Sequence, residues 1–419
     1  MKLIPSHMPV VESARVHSFA SIETPYSWWL ALVTLVITSL SFGAVTSIPV
    51  LLKPLAHDWN VGVGTIASVH LTAMFGAGLG SLLLGRLLDR HGFFCIAVVG
   101  ALSTTAGLVL AANATHLITL HLAYGILIGG VGQGAFFSPI TAALAQWFDR
   151  NQALAIAIAT SGQGIGGLCL PTLLRWATEG WGWRLTLTGY GIGAGLIMLL
   201  CALAFRKAPS SSPSISHEAN GVRTTPAQKR RCVWVLGMGI GLSNLAAFMV
   251  IGHLTAYGEE QGFAPVSAAM LVSVMLGATL VSRFSFGYAA NRWGRYPTLL
   301  LMSALHLFGI VWLVVAQSYF FLIIGIILIG LGFGGYLPAY GVLMRQLFPA
   351  SEAGRRISEI YFFAFITAGI GSGMGGWLRD LTSNYVVTFS GAATSASLAF
   401  LILWYQRAAF VSELPPIAE

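Results

Sequence analysis

The sequence predicts an all-α membrane protein of twelve transmembrane helices, arranged as two pseudo-symmetric six-helix bundles. Three observations carry that reading. The chain is 56% hydrophobic and only 9% charged, whereas a soluble domain carries about 25% charged residues. Apolar runs long enough to cross a bilayer recur along its whole length, a crossing helix needing about 20 residues. The chain also repeats itself. Gly85-x-x-x-Asp89-Arg90-x-Gly92 returns as Gly287-x-x-x-Asn291-Arg292-x-Gly294, each position 202 residues later. Gly130 and Gly132, ahead of Pro139, return near the same offset as Gly332 and Gly334, ahead of Pro338.

Hydropathy places the spans near 28–52, 61–84, 93–112, 117–145, 152–174 and 184–205, then 233–258, 266–289, 296–316, 319–346, 356–377 and 385–405. The expected organisation is a tail over 1–27, a six-helix bundle over 28–205, a linker over 206–232, a second bundle over 233–405, and a tail over 406–419. The linker contains SSSPS and KRR, a serine- and proline-bearing composition that suits a flexible connection. Residues 1–27 lack the short apolar core and small-residue cleavage site of a secretory signal, so no cleaved leader is expected.

Of the 22 Lys and Arg residues, 17 fall in the even-numbered loops and the two tails. Lys53, Arg175, Arg184 and Arg379 fall on the opposite side, and Arg283 alone lies inside a span. The excess of positive charge faces the cytoplasm in membrane proteins. Both termini and the linker are therefore expected on that side of the cell (inner) membrane. The net charge of +8 comes from these loops and gives no reason to invoke nucleic acid. Cys95, Cys169, Cys201 and Cys232 lack paired spacing and read as small core residues, with no disulfide framework and no metal site. No nucleophile elbow, phosphate loop or buried carboxylate pair is present, which argues against an enzyme and against a cofactor. The tails and linker are too short for an effector domain, which argues against a receptor.

Arg283 is the residue on which a functional reading turns. A guanidinium in hydrocarbon costs about 2.5–3.5 kcal/mol on insertion scales, so such residues face an internal cavity. Its fork of donors matches a carboxylate. Thr279, Ser282 and Ser285 around it mark a packed or wet face. No Asp or Glu lies deep in any predicted span, so a cationic substrate would find no partner, and an anion carrier is expected. Neutral groups that could complete a site are Tyr124 and Gln133 on the fourth span, Gln163 on the fifth, Asn244 on the seventh, and Tyr336 and Tyr340 on the tenth. His253 titrates near neutral pH and is the proton-coupling candidate. Straight helices put it about 12 Å from Arg283 in depth, beyond hydrogen-bond reach. Gly162, Gly164, Gly166 and Gly167 read as packing positions that let the fifth helix approach a neighbour.

The motif Gly85-Arg86-Leu87-Leu88-Asp89-Arg90-His91-Gly92, with its weaker copy in the second half, resembles the loop signature of the major facilitator superfamily. Within it, Trp147-Phe148-Asp149-Arg150-Asn151-Gln152-Ala153-Leu154-Ala155 leading into Gly162-x-Gly164-x-Gly166 is similar to the monocarboxylate porter and oxalate–formate exchanger branch. Pro25-Tyr26-Ser27-Trp28-Trp29 and Arg283, four residues ahead of Gly287, resemble the same branch. The resemblance implies the major facilitator fold and a substrate site between the halves, with Arg283 as the substrate arginine. It ranks Tyr124 and Tyr336 highest among the neutral groups. It also implies that Gly85, Asp89, Arg90 and Gly92, with Gly287, Asn291, Arg292 and Gly294, latch the cytoplasmic side. Where animal members carry a lysine and an acid linked to proton coupling, this chain has Thr46 and Thr279. The eleventh span lacks the lysine with which oxalate exchangers pair a dianion, so a monoanion fits better.

The expected function is alternating-access transport of a lactate- or pyruvate-like monocarboxylate with a proton, by a monomer in the lipid bilayer that needs no cofactor. Arg283, Tyr124, Tyr336, Tyr340, Asn244 and Gln133 would form the substrate site. The alternatives are proton-independent exchange of organic anions and efflux of amphipathic compounds.

Overall fold

The computed structural model describes residues 22–149, 151–207, 226–316, 318–348 and 350–413, and these are helical almost throughout, with no strand among them. Helix α1 is Pro25–Trp59. Val63–Ala112 breaks at Gly92 into α2 and α3. Helix α4 comes in three pieces, Leu117–Leu122, Ala123–Gln133 and Ser138–Ala145. Gln152–Ala202 breaks at Gly182 into α5 and α6. The second half repeats the pattern with α7 (Pro226–Glu260), α8 (Pro265–Trp293) and α9 (Arg295–Val315). It continues with α10 in two pieces (Tyr319–Gly334 and Tyr336–Leu347), α11 (Ala350–Thr382) and α12 (Tyr385–Glu413).

The helix ends follow local chemistry. Thr24 and Ser27 form a reciprocal capping box at the start of α1, with Pro25 in the first turn where its missing N–H costs nothing. Asn60 closes the helix in the left-handed conformation. That conformation recurs 202 residues later at Gly262, and the same offset relates Gly92 (φ +71°) to Gly294 (φ +92°). A third pair of turns carries positive φ at Gly182 and Ser383. Thus the repeat read from residue types is present in the backbone as well. Asn60, Gly182, Gly262 and Ser383 lie at one end of the bundle, and Gly92, Gly294, the start of α1 and the end of α12 lie at the other.

Small residues set how the helices approach. A methyl at Gly76 or Gly80 of α2 would run into the backbone of Gly125 or Gly130 in α4. The segment Ala123–Gln133 is a π-helix, a form that is rare and marks functional stretches. Gly162 and Gly166 of α5 meet Leu35, Thr38 and Ser39 of α1, while Gly164 and Gly167 meet Leu280 and Leu276 of α8. These are the packing roles expected for them. Across the other seam between the halves, Gly369, Gly373 and Gly376 of α11 face Leu71, Met74, Gly64 and Ala67 of α2. The halves therefore meet along α5–α8 and α2–α11.

The two stretches that resembled the same transporter branch, Pro25–Trp29 and Trp147–Ala155, are one contact in space. Tyr26 packs on Trp147 with ring centroids 5.6 Å apart, and Trp28 on Phe148 at 5.1 Å. The Glu23 carboxylate accepts from the Asn151 side-chain amide at 2.7 Å and from its backbone N–H. The start of α1 is thereby tied to the entry of α5.

A candidate substrate site between the halves

A cavity lies between the halves. Its lining comes from α1, α2, α4 and α5 and from α7, α8, α10 and α11, two matching sets of four; among the described residues α3, α6, α9 and α12 contribute nothing to it. Among the described residues, Arg283 is the one charged residue in this lining, which contains no aspartate or glutamate.

Arg283 reaches from α8 across the seam to α5. One Nη donates to the backbone carbonyl of Thr160, and the other makes a long 3.5 Å contact with Gln163 Oε1. Its Nε is buried without a partner. A half-buried cation that meets only neutral oxygens keeps its charge uncompensated, and an anion that reaches it is favoured there. The amides around the cavity are oriented by what already holds them. Ser41 Oγ donates to Gln133 Oε1 at 2.6 Å, leaving the –NH2 of Gln133 on offer. Gln163 uses its oxygen on Arg283 in the same way. Asn244 donates to Ile240 O at 2.9 Å and keeps its own carbonyl oxygen. One arginine and two amide –NH2 groups form a donor set suited to a carboxylate.

Of the residues singled out in the sequence, the cavity gathers Arg283, Gln133, Gln163 and Asn244. The three tyrosines lie outside the lining and are almost completely buried. Tyr124 OH bonds Ser47 Oγ at 2.6 Å. Tyr336 sits inside the second half beside His306, its OH 3.4 Å from Nδ1, with the Tyr340 ring 6.2 Å away. The cause is helical phase. Phe333 and Leu337 of α10, four apart, face the cavity; Tyr336, one position before Leu337 and about 100° from it in phase, and Tyr340, three positions after Leu337 and about 60° from it, turn into the bundle.

His253 is also outside the cavity. Its Nε2 donates to the backbone carbonyl of Ser372 on α11 at 2.8 Å, leaving Nδ1 buried without a partner. The Ser372 hydroxyl meets Nδ1 of His70 on α2 at 2.9 Å, across the α2–α11 seam. Composition and hydropathy gave no reason to single out His70, and only its place inside an apolar run marked it.

In the Gly92–Gly294 turns, Gly85 has open space where a side chain would begin, and Arg90 and Arg292 are exposed. The side chains of Asp89 and Asn291 and the surroundings of Gly287 lie outside the described residues, as do residues 1–21, 208–225 and 414–419 of the expected tails and linker.

The opposite end shows what motif reading missed. Arg175 of α5 pairs with Glu259 of α7 at 2.5 Å, and Lys53 of α1 approaches the same carboxylate at 3.9 Å. Arg184 pairs with Asp58, and Arg379 with Glu260. The four cations that broke the charge asymmetry are thus each matched by a carboxylate. Asp380 of α11 accepts from Gly64 N–H at 2.8 Å, at the positive N-terminus of α2. Any side chain at Gly62 or Gly64 would collide with that carboxylate. Thr172 and Ser273 hydroxyls bond across the α5–α8 seam at 2.9 Å. This end of the cavity is closed by polar contacts between the halves.

A helical bundle with a charged cavity between two repeated halves defines a membrane carrier. The Major Facilitator Superfamily model matches residues 34–306 and 236–418, and the chain belongs to that family; it is a transport protein rather than an enzyme. It is 27% identical to MFS transporter asaE of Aspergillus flavus over 388 residues, covering 89% of this chain and 86% of the relative. It is 25% identical to monocarboxylate transporter 13 of Rattus norvegicus over 403 residues, covering 92% and 91%. Among solved structures, a bacterial homologue of the human lysosomal transporter Spinster aligns with TM-score 0.71 at 14% identity, covering 94% of this chain and all of that one. A peptide transporter POT aligns with TM-score 0.73 at 13% identity, covering 93% and 96%. At such identities these two speak to the fold alone.

Removing Glu259 should loosen the closed end, because Arg175 and Lys53 would face each other without their carboxylate. Glu259→Gln is expected to raise the maleimide labelling rate of a Thr172→Cys reporter several-fold over the same reporter in the native background. An unchanged rate would show that the ion pair does not hold this end shut.

Proposed function

We propose that the protein is a secondary transporter of a monocarboxylate, moved with a proton by alternating access between the two halves. The observation that carries this reading is Arg283, a cation at the cavity wall that bridges the halves and meets only neutral oxygens. A carboxylate that takes the free Nε and the fork would compete with the Thr160 carbonyl. It would thereby loosen an α5–α8 tie as it binds, so loaded and empty carriers would differ in their readiness to rearrange. A single cation with no second positive group favours a monoanion. The similarity to monocarboxylate transporters supports the same substrate class.

The excess of Lys and Arg at the Gly92–Gly294 end supports a cytoplasmic position for that end. The paired charges at the Asn60–Gly262 end then form the outer gate. For the proton we assign His253 Nδ1, with His70 facing it through Ser372. A proton there would put charge into the α2–α11 seam. Binding and release of that proton would bias the outer closure directly.

Two measurements on proteoliposomes test this. With an imposed inward proton gradient, uptake of labelled monocarboxylates from lactate upward should fall about 10- to 100-fold in Arg283→Lys, the loss expected for a charge-assisted bond. Uptake that survives in the variant removes Arg283 from the substrate site. His253→Gln should keep substrate-for-substrate exchange and lose the acceleration by the gradient. Gradient stimulation equal to the native level would take the proton away from His253.

A further inference from the structure

We propose that the carboxylate this cavity takes carries an aromatic body, rather than being as small as lactate. The proposal rests on the reading that Arg283 binds a carboxylate, and it concerns the rest of the molecule attached to that group. Apart from Arg283 and the amides, the bulkiest residues of the lining are rings: Phe42, Phe137, Phe248, Phe333, Tyr361 and Phe365. They come from α1, α4, α7, α10 and α11, so the rings surround the space rather than cover one wall.

The rings are held in place by one another. Phe137 packs edge-on against Phe365, centroids 4.8 Å apart, and against Tyr361 at 5.9 Å. Phe248 packs edge-on against Phe333 at 6.2 Å. Such arrangements are favourable for aromatic pairs and fix the shape of the walls before a ligand arrives. A lactate-sized anion satisfied by Arg283 would leave most of these walls against water. An aryl group would cover them, and an apolar lining with a few convergent polar groups is the pattern of a ligand site. Arg283 and Gln163 meet at the α5–α8 wall, so a ligand with a charged group at one end and a ring at the other suits the cavity.

The test is direct binding to the purified full-length chain in detergent by titration calorimetry. Acetate and phenylacetate share a headgroup, and phenylacetamide keeps the ring without the charge. Phenylacetate is expected to bind about 10- to 100-fold more tightly than acetate, the return from burying one ring. Phenylacetamide should bind more weakly than phenylacetate. Arg283→Gln should weaken phenylacetate and leave phenylacetamide unchanged, while Phe365→Leu should narrow the gap between phenylacetate and acetate. Equal affinity for acetate and phenylacetate, both weakened by Arg283→Gln, overturns the aromatic body and leaves the carboxylate contact standing. Phenylacetamide binding as well as phenylacetate, with no effect of Arg283→Gln, overturns the carboxylate contact itself. No binding of phenylacetate up to millimolar concentration also overturns the proposal.

Discussion

A cation held in a membrane protein against neutral oxygens is a constraint that its surroundings must answer. Arg283 answers it by reaching across the α5–α8 seam to Thr160 and Gln163, so the residue that recognises an anion is also a tie between the halves. The small residues of α5 make this possible. Gly164 and Gly167 let α8 come close enough for the guanidinium to span the gap. The cavity exists because α2 and α11 close the other seam on their own glycines, leaving space between the two lines of contact. Binding energy and conformational energy therefore meet in one side chain.

The two ends of the molecule are built differently. At the Asn60–Gly262 end, Lys53, Arg175, Glu259 and Asp380 join the halves through charge and a helix N-terminus. Toward the other end the described contacts across the cavity are Arg283 and the Phe137, Tyr361 and Phe365 rings. Polar contacts between halves are made and broken with water as the alternative partner, which keeps their net worth small and suits a gate. Ring contacts are less directional and can slide. Closure at one end with a looser middle is the arrangement that alternating access requires of one of its states.

The fold was legible because the repeat leaves a mark at every level. Gly92 and Gly294 are matched in sequence and again in backbone conformation, since a turn between two spans demands a residue that accepts positive φ. Arg283 was legible because charge inside an apolar run is costly and therefore conspicuous. Which tyrosines face the cavity was not legible. That depends on the breaks in α4 and α10, and a shift of one position in helical phase moves Tyr336 from the wall into the bundle. The ring walls were hidden for another reason: the chain has 24 Phe, and periodicity does not say which of them turn inward. His253 could be placed away from Arg283 by depth alone. Its bond to Ser372 joins positions 119 apart, and only tertiary packing shows it. Glu259 lay in plain view beside Glu260 at a helix end, where a carboxylate reads as ordinary solvated charge until Arg175 is seen against it.

The central claim is that a ligand carboxylate displaces the Thr160 carbonyl from Arg283. The measurement that tests it most directly is an experimental structure of the full chain with phenylacetate bound, set beside one determined without ligand. Carboxylate oxygens are expected within about 2.7–3.0 Å of the guanidinium nitrogens, with the bond to Thr160 broken only in the bound state. A ligand seated elsewhere in the cavity, with Arg283 still donating to Thr160, would contradict it.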